Sequence, residues 1–72
     1  MIDFFIKQAL ENDHIQSKPI EHFTIEQLNE LSEKARDNNL LITLRVEHSN
    51  VWQGTLVNLI KKEIANKFLK YL

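Results

Sequence analysis

The chain has no cysteine, one glycine, one proline, one tryptophan and one tyrosine among its 72 residues, and its formal charge is only −1. Each scarcity excludes something. Without cysteine there is no disulfide framework and no thiolate metal site, so the core alone must hold the fold, and a reducing compartment is the expectation. A single glycine cannot build the clustered backbone N–H cradle of a phosphate-binding loop. A near-neutral chain offers no whole-molecule attraction for nucleic acid. No apolar run approaches the eighteen residues of a membrane span, and the first residues carry no basic leader, so no membrane association is expected and the cytoplasm is the expected location.

What is present is ordinary globular composition, 43% apolar and 26% charged, arranged as one domain over 1–72. A domain this small buries only about 60% of the surface its unfolded chain exposes, and self-association would widen its thin stability margin. Charge is unevenly placed. Residues 1–50 carry five Lys and Arg against nine Asp and Glu, whereas residues 51–72 carry four against one. The two halves are expected to attract within one molecule, with head-to-tail ordering of two copies as the alternative.

Residues 2–12 set Ile2, Phe5, Ile6, Ala9 and Leu10 on one helical stripe. Phe4 lies nearly opposite at 100° per residue, expected to be covered by the following loop or else exposed to a partner. Gln16-Ser17-Lys18-Pro19 reads as a linker. A second helix begins at Thr24, whose spacing from Gln27 forms a capping box, and it carries the stripe Ile25, Leu28, Leu31 and Ala35. Asn38 or Asn39 suits its left-handed C-terminal cap.

Leu40–Val46 alternates as a strand, with Leu40, Ile42, Leu44 and Val46 on the face expected to meet the core and Leu41, Thr43, Arg45 and Glu47 on the other. Glu47–Asn50 supplies a turn, after which Val51-Trp52-Gln53 can return as a short antiparallel strand. Thr55 to Leu72 is expected to form a long amphipathic helix. Its arc of Leu56, Val57, Ile60, Ile64, Phe68 and Tyr71 leaves Leu59 and Leu69 outside, more apolar surface than one face needs. The expected architecture is α+β: two N-terminal helices, a short hairpin or single strand, and a long C-terminal helix. The core would join Leu40, Ile42, Leu44 and Val46 to Ile25, Leu28 and Leu31 and to Leu56, Ile60 and Ile64.

Site chemistry is sparse. His14, His22 and His48 each follow an acidic residue, yet no pair has metal-ligand spacing on a helix and no cysteine could complete a site, so they read as surface loop residues. A nucleophile would need an oxyanion hole and a pocket that one glycine and 72 residues hardly supply. Neither an enzyme nor a cofactor is expected. The leading expectation is a small protein-binding regulator, inhibitor or assembly adaptor that forms a homodimer, with Phe4, Arg45, Trp52, Leu59, Leu69 and Tyr71 as candidate contacts. The competing expectation is a nucleic-acid binder that uses the polar row Lys62, Asn66 and Lys70.

Overall fold

The computed structural model describes residues 1–69. Its elements run α1 (Ile2–Glu11), β1 (Gln16–Pro19), a 3-10 turn (Ile20–His22), α2 (Ile25–Asp37), β2 (Leu40–His48), β3 (Gln53–Lys61) and α3 (Lys62–Leu69). The strands form one antiparallel sheet in the order β1-β3-β2, with α1 and α2 packed on one face. The protein is therefore α+β, but its order is α-β-α-β-β-α. The expected succession of two helices, hairpin and long helix is incorrect at two places.

The first is Gln16–Pro19, which is an edge strand and not a linker. It pairs with β3 from Gln16 opposite Leu59 to Pro19 opposite Leu56. Nothing in its own four residues alternates in hydropathy; its order comes from the neighbour. Pro19 is tolerated because an edge strand needs its N–H groups on one side only. The second is Thr55–Lys61, which continues the returning strand instead of opening the last helix. Beta-branched Thr55, Val57 and Ile60 favour the extended chain, and the constant register from Leu40–Lys61 to His48–Gln53 gives β3 nine partners in β2. In this central strand Val57, Asn58, Leu59 and Ile60 are buried one after another, on both sides of the strand, so its apolar residues do not alternate with exposed polar ones.

The core lies between the helices and this strand. Ile2, Phe5, Ile6 and Ala9 of α1 and Leu31 and Ala35 of α2 close over Leu40, Val57 and Leu59, with Phe23 filling the end. The rings of Phe5 and Phe23 meet at 5.9 Å between centroids, and Lys18 Nζ stands 5.9 Å above the Phe5 ring. Each fully buried Leu or Phe contributes about 1.5–3 kcal/mol by leaving water. Leu10, expected on the α1 stripe, lies at its exposed margin, and Phe4 is 59% exposed, so the following loop does not cover it.

Both ends of α2 follow the sequence pattern. Gln27 N–H donates to Thr24 Oγ1 at 3.1 Å and Thr24 N–H donates to Gln27 Oε1 at 2.8 Å, closing the capping box. Beyond the last turn Asn39 adopts φ 55°, the left-handed conformation that reverses the chain into β2. Asp3 and Lys34 tie α1 to α2 by an ion pair of 2.5 Å, which holds the Asp3 carboxyl below its ordinary value and, with Glu30, holds the Lys34 ammonium above its own. Among the described residues one ion pair joins the acidic and basic parts of the chain, Lys61 with Asp13 at 3.1 Å.

Candidate functional site

The two rims of the sheet differ. β1 is four residues long and ends in proline, whereas β2 is nine residues long and has no proline. The hydrogen-bonding phase of β2 follows from its two ends. Ser49 N–H donates to Trp52 C=O at 3.1 Å, and Lys62 N–H donates to Asn39 C=O at 3.0 Å. Both pairs continue the β2–β3 register, so odd-numbered residues of β2 bond inward to β3. Antiparallel ladders alternate, which turns the backbone groups of Ile42, Leu44, Val46 and His48 toward the rim that has no strand partner among the described residues.

Those same even-numbered residues carry their side chains on the helix-covered face. Cover ends part-way along. Leu40 is buried and Ile42 half-buried, but Leu44 is 62% and Val46 65% exposed. Geometry supplies the reason: a nine-residue strand spans about 30 Å, whereas the 13 residues of α2 span about 20 Å. The expectation that Leu44 and Val46 enter the core is thus overturned by reach. Ile25, at the start of α2, is 78% exposed and is also absent from the core it was assigned to. Ile20, Leu28, Ser32, Ile42, Thr43 and Leu44 line a shallow apolar groove running between α2 and β2 toward the rim.

On the opposite face of β2, Arg45 Nη2 donates to Glu47 Oε2 at 2.7 Å. Beyond them the β2–β3 turn is locked by Ser49, whose Oγ accepts from Trp52 N–H at 3.0 Å and donates to Trp52 C=O at 2.9 Å. The Trp52 ring packs close to Gly54, where an added Cβ would stand 2.7 Å from Trp52 Cζ2. The one glycine is therefore needed for the close approach of an indole to the backbone.

Of the residues singled out from sequence, Arg45 lies on the open strand and half-buried Trp52 at the tip of the same hairpin. Phe4 is exposed on α1. Leu59 is fully buried in β3 and cannot touch a partner; its place outside the helical arc was the mark of a strand, not of spare surface. The side chain of Leu69, together with Lys70 and Tyr71, lies outside the described residues. Lys62 and Asn66 are exposed on α3 and line a shallow concavity with Leu10, Asn38, Asn39, Lys61 and Glu63. Leu44 and Val46 are the contact candidates that pattern reasoning missed, since alternation marks which face a residue takes and not how far a helix covers it.

Compared with family models, curated proteins and solved structures, the chain matches none.

Proposed function

We propose that this protein is a non-catalytic protein-binding module, serving as a regulator, inhibitor or assembly adaptor, and that its working surface is the outer edge of β2. The observation that carries the reading is a nine-residue strand edge flanked by uncovered Leu44 and Val46. Edge strands of this length and character present unpaired N–H and C=O groups, which natural proteins ordinarily blunt or cover. An extended segment of another polypeptide adds there as a fourth strand, main-chain bonds supplying affinity and the apolar groove supplying selection. The cysteine-free composition suits a cytoplasmic setting, and no helix among the described residues is long and apolar enough to cross a membrane.

Leu44→Pro tests this, because it removes an outward N–H and leaves the inward ladder in place. The variant keeps its far-ultraviolet circular dichroism and loses the proteins that the wild-type chain captures from its native host. Retention of the same partners by a folded Leu44→Pro chain contradicts the proposal.

A second reading rests on Lys62 and Asn66 sharing one concavity with Lys61. It assigns the α3 end to nucleic-acid backbone contacts. Such binding weakens steeply with salt; a low-salt gel shift unchanged by Lys62→Ala with Asn66→Ala contradicts it.

A further inference from the structure

The β2 edge is complementary to itself. For two copies to pair through it about a two-fold axis, the strands run antiparallel, and outward-facing residues of one must meet outward-facing residues of the other. The axis then falls on one residue, and charge distinguishes the choices. An axis at Arg45 sets Arg45 against its own copy. An axis at Leu44 leaves Arg45 opposite Thr43 of the second copy and Glu47 opposite Leu41, so neither charge gains a partner. An axis at Val46 sets Arg45 opposite Glu47 of the second copy and Glu47 opposite Arg45, twice over by symmetry.

The same axis suits the cover on the other face. It pairs Leu44 with His48 and Val46 with Val46 across the interface, uniting the exposed half of β2 while the halves beneath α2 diverge. Three outward residues, Leu44, Val46 and His48, then exchange main-chain bonds with the second copy. Resting on the reading of β2 as a docking edge, we infer that its partner is a second copy of this chain, joined antiparallel through Leu44–His48 with Val46 on the axis.

The test is charge reversal followed by mixing. Arg45→Glu makes positions 45 and 47 both acidic; Glu47→Arg makes both basic. Each change also breaks the pair within its own strand, but that loss is shared by monomer and dimer and cancels in the association constant. Opposite-charge pairs across strands stabilise and like charges destabilise, so at low salt each variant alone dimerises roughly ten- to thirtyfold more weakly than wild type. An equimolar mixture restores acidic 45 to basic 47 and basic 45 to acidic 47, and sedimentation equilibrium recovers a heterodimer of wild-type strength.

Recovery on mixing supports the inference, because a defect in folding is not mended by a second defective chain. Variants that dimerise like wild type, or a mixture that stays monomeric, overturn it. A wild-type chain monomeric throughout the millimolar range also overturns it. If Leu44→Pro nevertheless abolishes capture of a different protein, the docking edge stands and only the identity of its partner falls.

Discussion

The two rims of one small sheet are treated in opposite ways. β1 is short, ends in Pro19 and is pinned to the centre by Ser17 Oγ–H donating to Asn58 Oδ1 at 2.5 Å. β2 is more than twice as long and leaves Leu44 and Val46 largely exposed. β1 has the shortness and the proline that discourage further pairing; β2 has neither, and its charges are the pair Arg45 and Glu47. In a 72-residue domain with little stability to spare, an edge left in this condition is where intermolecular contact is to be sought.

Leu59 lies opposite both Gln16 and Ile42, and so supports both rims at once. Leu59→Ala removes a fully buried side chain and destabilises by about 2–5 kcal/mol, read from the urea midpoint. A domain of this size retains little folded population after such a loss. A near-neutral result would show that the sheet is not organised around β3.

Proline placed on successive residues of β2 sharpens the contrast between inward and outward groups. Arg45→Pro deletes an inward N–H, leaves its β3 carbonyl partner unbonded and destabilises by about 1–3 kcal/mol. Leu44→Pro deletes an outward one and costs much less stability while removing association. Equal thermal shifts for the two would invalidate the phase assigned to the ladder.

On the β1 side, Ser17→Ala leaves the buried Asn58 amide oxygen without its hydroxyl donor. That costs about 1–3 kcal/mol in chemical denaturation, and it speeds exchange of the β1 amides without altering association at β2. An association change comparable to that of Leu44→Pro would show that the two rims are not independent.

The smallest effect concerns the link between the helices. Asp3 is held below its ordinary 3.8 and Lys34 above its ordinary 10.5, each chiefly by the hydrogen bond between them. The stabilisation is therefore present above the ordinary carboxylate value and is lost as pH falls through the lowered Asp3 value. At the other end it is lost as pH rises through the raised Lys34 value. Asp3→Asn lowers the melting temperature slightly at neutral pH, and the difference from wild type vanishes in strong acid. Both groups are exposed, so salt also narrows it. A difference that persists in strong acid would assign the effect to something other than the ion pair.

The α+β class and the bounds of α2 were legible from local chemistry, but the order of elements was not. Thr24 with Gln27 marked the start of α2, an asparagine marked its end, and alternation from Leu40 marked β2. The last third was misread because Leu56, Val57, Ile60 and Ile64 also satisfy helical spacing, and an apolar run buried on both faces has no period of its own. Leu59 held the contrary sign, as a large apolar residue with no place on the helix. β1 left no trace because its hydrogen bonds are dictated by Asn58 and its neighbours, about forty residues away in sequence. As for the proposed edge, the alternating pattern placed Arg45 on β2, whereas Trp52 was expected on the returning strand and lies in the turn before it; the exposure of Leu44 and Val46 depended on how far the helices cover the strand, which only the assembled fold reveals.

The openness of β2 and its use in pairing are read most directly by amide hydrogen exchange along the strand at low and high protein concentration. In dilute solution the amides of Leu41, Thr43, Arg45 and Glu47 are protected, while those of Ile42, Leu44, Val46 and His48 exchange quickly. At high concentration protection spreads to Leu44, Val46 and His48 and leaves Ile42 open. Protection of the even-numbered amides in the dilute chain, or rapid exchange of Leu44, Val46 and His48 at every concentration, would contradict the account.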